Sequence, residues 1–237
     1  MDVVVDNSPD MQSYQQQLST GTEKKRREAL EALLQEGQEG LLVLEDFLVA
    51  VHAGTYPLDS LAGRIYAKLF QSSDPQVQTF LHTQFPQGFF SGLPDRTLGY
   101  QDLEALLAQE QFEAADRLTL QKMCELAGTA AQQRKWLYFS EVDQFPQADL
   151  QSIDRLWRIY SDDKFGFSIQ REIWLGVGQD WDKLWPKIGW KDGRLWTRYP
   201  QGFTWNLGAP KGHLPLTNQL RGVRVMASLM NHPAFSY

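Results

Sequence analysis

Residues 85–94 read Phe-Pro-Gln-Gly-Phe-Phe-Ser-Gly-Leu-Pro, and this stretch decides how the chain is organised. Proline and glycine interrupt helices and strands alike, so such a stretch is typical of a boundary between folding units. The chain has 237 residues, which is enough for one large domain or two small ones. We therefore predict an N-terminal unit over residues 1–88 and a second unit over residues 89–237.

The N-terminal unit has the pattern of short amphipathic helices, because its apolar residues recur every three or four positions. Thr22 is placed to begin one of them, and two glycines separate this helix from an apolar helix over residues 41–51. Asp74 and Pro75 form a favourable helix start, with an N-cap followed by proline at the first helical position. We predict a small, acidic helical bundle.

The same spacing predicts helices over about residues 100–107 and 112–126 of the second unit. Three polar residues are placed to cap later helices, because short side chains that accept hydrogen bonds are favoured there. They are Asp149, Ser168 and Thr217. The helix after Thr217 is expected to reach Met230. The whole pattern predicts an all-α fold.

The C-terminal segment differs from the rest of the chain in charge and in tryptophan content. Residues 1–90 and 91–163 each carry a net charge of −6, whereas residues 164–237 carry +6. Six of the eight tryptophans lie in this last segment, many of them between turn residues. Asp192-Gly193 suits a β-hairpin, while the density of turn residues suits long ordered loops equally well.

Several functional classes do not fit this sequence. It has no phosphate-binding glycine loop, no dinucleotide fingerprint, no nucleophile elbow and no zinc motif. Cys124 is the single cysteine, and beside Met123 on an apolar helix it is expected to be a buried thiol. No apolar run is long enough to cross a bilayer, and the N-terminal residues resemble neither a secretory signal nor a transit peptide. We expect a cytoplasmic protein.

Aromatic density and positive charge coincide in residues 164–237, which suits a large, flat, anionic ligand. Single-stranded nucleic acid, a tetrapyrrole and a protein partner all fit this description, and the tryptophans can also be core residues. The acidic overall charge of −6 weighs against nucleic acid. Arg221 and Arg224 are three residues apart on a predicted helix, with Asn218 one turn earlier, so they can grip two carboxylates.

Three motifs of the second unit are distinctive. Residues 165–170 read Phe-Gly-Phe-Ser-Ile-Gln, residues 189–190 read Gly-Trp, and residues 209–215 read Ala-Pro-Lys-Gly-His-Leu-Pro. Together they resemble the core domain of the genomes-uncoupled-four family, over about residues 98–237. Members of that family are tetrapyrrole-binding regulators of magnesium chelatase in oxygenic phototrophs.

This resemblance implies a mainly helical, cupped domain with long ordered loops that binds protoporphyrin IX and magnesium protoporphyrin IX. It implies that the protein stimulates magnesium chelatase in chlorophyll biosynthesis through the large porphyrin-binding subunit, without being an enzyme and without a catalytic cofactor or resident metal. The acidic bundle is similar to the additional domain of cyanobacterial members, which favours the cytoplasm with at most peripheral membrane association. An alternative is a protein-interaction module that regulates the chelatase and binds porphyrin incidentally.

The resemblance also implies which residues bind the ligand. Arg221 and Arg224 are expected to hold the propionates, with Asn218 beside them. The loop from Trp190 through Trp196 to Tyr199 is expected to be an apolar flap.

Phe139 and His213 are two further candidates. Phe139 lies in a less distinctive stretch of the matching region. His213 has the chemistry of an axial metal ligand, but the flanking glycine and proline favour a structural role in a fixed turn.

Overall fold

The computed structural model describes residues 9–90, 93–217 and 223–235, and in these residues the chain forms thirteen α-helices and one two-stranded sheet. The predicted all-α class is confirmed. The chain divides into two units, Met1–Phe89 and Phe90–Tyr237. None of the described helices is both long enough and apolar enough to cross a membrane.

Five helices form the first unit. They are α1 (Pro9–Thr20), α2 (Glu23–Gln35), α3 (Gly37–His52), α4 (Ser60–Phe70) and α5 (Pro75–Gln84). Asp74 caps α5 as predicted, and Thr22, where the helical pattern was expected to begin, caps α2; each accepts a backbone N–H from the first turn. Gly40 does not interrupt α3: a Cβ there would lie 1.9 Å from the Leu33 carbonyl oxygen, so the glycine lets α2 and α3 approach closely.

Eight helices and the hairpin form the second unit. The helices are α6 (Gln101–Ala108), α7 (Phe112–Leu126), α8 (Thr129–Arg134), α9 (Phe139–Val142), α10 (Gln147–Ile159), α11 (Phe167–Gly176), α12 (Trp181–Lys187) and α13 (Arg224–Asn231). The hairpin pairs β1 (Lys191–Asp192) with β2 (Leu195–Trp196). Helix α10 is central to the core, and its Trp157 is fully buried and donates its indole N–H to Thr119 Oγ1 at 2.9 Å.

Asp149 does not cap α10, contrary to the sequence prediction. The helix begins at Gln147, and Asp149 lies inside its first turn, fully buried. Its carboxylate accepts the backbone N–H groups of Thr97 and Leu98 and the hydroxyl of Tyr100, the last at 2.7 Å. The acid therefore organises the loop that leads into α6, because that loop has no helical hydrogen bonds of its own.

Ser168 does not cap α11 either. The helix begins at Phe167, and the backbone N–H and hydroxyl of Ser168 donate to Asp154 of α10 at 2.8 and 2.6 Å. The cap therefore comes from a neighbouring helix. Gly166 permits this arrangement, since its φ is +137° and a Cβ there would lie 2.8 Å from Asp154 Oδ1.

The helix predicted after Thr217 begins later than expected. Helix α13 starts at Arg224, with Val223 at its N-cap, so Thr217 does not cap it. Thr217 is buried, and the preceding Leu216 donates its N–H to Asp116 of α7 at 2.6 Å. This contact holds residues 216–217 against α7 instead of releasing them into a helix. Residues 218–222, which include two predicted site residues, lie outside the described part of the chain.

Replacing Asp149 by alanine is expected to destabilise the second unit by about 3 kcal/mol or more, because several donors would lose their buried acceptor. Urea denaturation of the full chain measures this loss. Glu172→Ala is the matched control, since it removes an exposed acid from α11 and is expected to change the free energy of unfolding by less than about 0.5 kcal/mol. Equal stability of the two variants would contradict the role given to Asp149.

Candidate functional site

A cavity of about 1200 Å³ lies in the second unit. Its walls come from one face of α7, from the end of α8, from the hairpin and the residues that follow it, and from Leu216 and Thr217. Ligand sites for compounds of drug size usually measure about 300–1000 Å³, so this cavity has room for a large ligand.

The wall from α7 consists of two rows of side chains, because residues four positions apart lie above one another on a helix. The inner row is at least partly buried and holds Asp116, Leu120 and Cys124. The outer row is exposed and holds Arg117, Gln121 and Glu125. The helix therefore offers apolar area inside the cavity and polar groups at its rim.

The wall from the hairpin is aromatic. Lys191 pairs with Trp196 across the two strands, so the hairpin alternative for this stretch is the one observed. Trp196 and Tyr199 line the cavity and are 42% and 47% exposed. Side chains of this size are usually covered in a folded protein, and their exposure in a concave site is typical of ligand binding. These two predicted site residues therefore meet at the cavity.

A stack of tryptophans supports this aromatic wall. The rings of Trp174, Trp181, Trp185 and Trp190 follow one another with centroid separations of 5.0, 5.3 and 5.7 Å. Trp196 packs on Trp185 at 5.6 Å. Most of these tryptophans therefore belong to the core, as the core alternative of the sequence analysis held. Of the five indoles, Trp196 alone lines the cavity.

Trp190 lies behind the cavity wall. It is 1% exposed, and its indole N–H donates to the carbonyl oxygen of His213 at 2.8 Å. The structure thus places Trp190 in the support of the hairpin and not among the residues that line the cavity.

His213 is also buried, and both of its ring nitrogens have partners. Nδ1 lies 2.6 Å from the carbonyl oxygen of Ile188, and Nε2 accepts the backbone N–H of Thr204 at 3.2 Å. A carbonyl can only accept and a backbone N–H can only donate, so the proton is on Nδ1. Burial lowers the pKa of this imidazole, which keeps it neutral. This arrangement matches the structural role favoured from the sequence.

Phe139 and Arg224 meet each other outside the cavity lining. The guanidinium of Arg224 lies 5.6 Å from the ring centroid of Phe139, which is 41% exposed. Asn218 and Arg221 fall outside the described residues.

Four cations of the described residues line the cavity and were not among the predicted site residues: Arg117, Lys135, Arg194 and Arg198. Arg117 is engaged by Glu113 of the same helix at 3.0 Å. Lys135, Arg194 and Arg198 have no ion pair within the described residues. Of the α7 wall, the sequence singled out Cys124 alone, as a buried thiol, and no recognisable pattern marked these cations. No group of three metal-ligating side chains occurs in the described ranges.

Asp116 is the buried acid of the cavity wall. It is 5% exposed, and the burial of its carboxyl raises its pKa to about 7, although the N–H of Leu216 works in the opposite direction. Two charged groups of α7 also act on the pKa of Asp116: Arg117 lowers it and Glu113 raises it. Tyr199 of the hairpin wall interacts electrostatically with Asp116. This carboxyl therefore titrates near neutral pH, well above the ordinary range of aspartate.

Family comparison divides the chain into two matches. Residues 94–233 match a family described as GUN4-like. Residues 3–86 match a domain described as "ARM-like repeat domain, GUN4-N terminal".

Two individual proteins are similar in sequence to this chain. The Ycf53-like protein of Synechocystis sp. is 45% identical over 232 residues, which are 97% of this chain and 98% of that protein. A protein of Arabidopsis thaliana named "Tetrapyrrole-binding protein, chloroplastic" is 39% identical over 143 residues, 56% of this chain and 54% of that protein.

Two solved structures are similar to the chain. The structure of GUN4 from Chlamydomonas reinhardtii has 37% identity and a TM-score of 0.56, and the match covers 60% of this chain and 92% of that one. The ligand-free structure of Arabidopsis thaliana GUN4 has 39% identity and a TM-score of 0.54, covering 60% of this chain and 100% of that one.

The raised pKa of Asp116 predicts a stability loss with rising pH. The folded chain keeps a proton that the unfolded chain releases above pH 3.8, so the free energy of unfolding falls until the pH exceeds about 7. Asp116→Asn can keep the contact to Leu216 without this titration. We expect the variant to gain about 2–4 kcal/mol relative to the original chain between pH 4.5 and pH 8, measured by urea denaturation. Parallel pH profiles for the two proteins would contradict this.

Proposed function

Since the chain belongs to the GUN4-like family, we propose that it binds protoporphyrin IX or magnesium protoporphyrin IX in the cavity beside α7 and thereby regulates magnesium chelatase. The proposal makes the chain an activator that stimulates the chelatase, in contact with its large porphyrin-binding subunit, without catalysis of its own. The porphyrin is both the substrate and, with magnesium, the product of that enzyme.

The observation that carries this proposal is the form of the cavity. The hairpin wall contributes the aromatic residues Trp196 and Tyr199, and the α7 wall contributes the apolar residues Leu120 and Cys124. A flat, apolar macrocycle can bury both of its faces against such walls, and the burial of apolar area supplies the main favourable free energy. A relative from Arabidopsis thaliana is named a tetrapyrrole-binding protein, which supports the same class of ligand.

The acidic groups of the ligand need positive charge at the rim of the cavity. We keep Arg221 and Arg224 as the proposed propionate contacts, with Asn218 beside them. Arg224 is the described member of this set, and a guanidinium that packs over the ring of Phe139 keeps the N–H groups of its edge for a carboxylate. The same proposal places the protein in the cytoplasm, with at most peripheral contact to a membrane.

A protein-interaction module is the second candidate, and the hairpin favours it. Leu195 is 77% exposed next to the exposed Trp196, and a group of exposed apolar side chains is typical of a surface that meets a partner. In that case porphyrin affinity is incidental, and hairpin variants lose stimulation of the chelatase while they keep their affinity for porphyrin.

Titration with deuteroporphyrin is expected to quench tryptophan fluorescence and to saturate at one ligand per chain, because Trp196 lines the cavity and packs on Trp185. Trp196→Ala and Tyr199→Ala are each expected to weaken binding about tenfold. Leu175→Ala is the control, since it removes a similarly exposed apolar side chain outside the cavity lining. Chelatase stimulation measured on the same variants separates the two candidates. Absence of saturable binding would overturn the first one.

Arg221→Ala and Arg224→Ala are each expected to lower the affinity for deuteroporphyrin by about tenfold to 150-fold, because each removes a charge-assisted hydrogen bond. Lys211→Ala is the control, since it removes an exposed cation whose ion pair with Glu172 contributes little. Circular dichroism checks that all variants fold. If both arginine variants bind like the original chain, the propionate contacts lie elsewhere.

A further inference from the structure

Lys135 is a cavity residue to which none of the preceding functions has been assigned. It immediately follows α8, lines the cavity and is exposed. Among the described residues it forms no ion pair, unlike Arg117 of the same cavity, which is bound to Glu113. Its ammonium group is therefore a cation held at a ligand site without a counter-ion in the described part of the protein.

The backbone of Lys135 adopts a conformation that lysine rarely takes. It has φ +62° and ψ +31°, the left-handed region, at the C-terminal end of α8. Glycine is the usual residue in this position, because a side chain there meets its own backbone. The N–H of Lys135 closes the helix on the carbonyl of Ala131 at 2.8 Å. A residue kept in an unfavourable conformation at a cavity is a candidate for function.

Arg134, the residue before Lys135, contacts the side chains of Trp136, Tyr138 and Glu141. We call these four residues the clamp. Arg134 donates to both carboxylate oxygens of Glu141 at 2.7 Å. Its guanidinium also lies 4.8 Å from the ring centroid of Trp136 and 4.4 Å from that of Tyr138. Both hydrogen bonds to Glu141 come from one nitrogen, Nη2, and together with the two cation–π contacts they limit the movement of the chain on both sides of Lys135.

We propose that Lys135 binds a carboxylate of the tetrapyrrole in the cavity and that the clamp positions it to do so. The inference rests on the proposed function and deepens it by adding a cation, on another element of the cavity, that contacts an acidic side chain of the ligand. Lys135 stands on a different wall from the hairpin cations and on a different element from Arg224. The acidic groups of one ligand would then be held from more than one side, which fixes the orientation of the macrocycle.

The test compares two probes that differ in their carboxylates alone: deuteroporphyrin and its dimethyl ester. Each is titrated into the full chain and into Lys135→Ala, Lys135→Arg and Lys187→Ala, in one buffer with one cosolvent content. Lys187 is the matched control because it is an exposed lysine outside the cavity lining. Tryptophan quenching and the absorption shift of the porphyrin report binding.

Lys135→Ala is expected to weaken binding of the diacid about five- to tenfold and to leave binding of the ester within about twofold. Lys135→Arg keeps the charge and is expected to retain affinity for the diacid, and Lys187→Ala is expected to change neither probe. An equal loss for both probes, or no loss for the diacid, would overturn the proposal. If the original chain binds neither probe, the proposed function has failed, which is a separate result.

Glu141→Gln tests the clamp, because it removes the charge that holds Arg134 and nearly preserves the shape of the side chain. We expect a smaller loss of affinity than in Lys135→Ala, again for the diacid and not for the ester. A role of the clamp in folding alone would reduce binding of both probes together. Raising the salt concentration is expected to weaken diacid binding less in Lys135→Ala than in the original chain, since one screened contact is missing.

Discussion

The second unit depends on the hydrogen bonds between the start of α11 and residues 209–215. Gln170 is fully buried, and its amide donates to the carbonyls of Gly212 at 3.0 Å and Pro215 at 2.8 Å. The backbone N–H of Gly166 donates to Leu214, and that of Gly212 donates to Lys164. Apart from Lys164, which precedes the first motif, these residues belong to the two longest distinctive motifs of the sequence, and the two motifs therefore bind each other. The loop in turn holds the base of the hairpin through the carbonyl of His213 and the indole of Trp190.

Buried aspartates also connect the segments of the second unit. Asp116, Asp149 and Asp154 each lie on a helix and accept backbone N–H groups from another segment. A unit with short helices has many backbone donors outside regular structure, and each needs an acceptor when it is buried. A carboxylate can serve two or more donors at once, which suits this task. The cost is desolvation of the acid, which raises the pKa values of Asp116 and Asp154.

The sequence predicted the helical class, the cap at Asp74 and the family, and it left a hairpin and long ordered loops as alternatives around Asp192-Gly193. It was wrong about Asp149 and Ser168, because local spacing cannot show that a donor or an acceptor lies on a helix distant in sequence. It also overestimated the aromatic surface, since a buried Trp190 and an exposed Trp196 look alike in a sequence. The cavity brought together Trp196 and Tyr199 from the predicted set, while Lys135 lay in a stretch with no recognisable pattern. The roles proposed for Asn218, Arg221 and Arg224 stay predictions.

At Lys135 the backbone conformation is unfavourable for local stability, whereas the charged side chain is the group proposed to bind the ligand. Glycine at this position would relieve the strain at the end of α8 and would favour the folded state, but it would leave the cavity without that positive charge. Selection for thermal stability alone would therefore move this position toward glycine, and selection for the ligand would keep it basic. The residue found here in related chains would show which demand each protein has met.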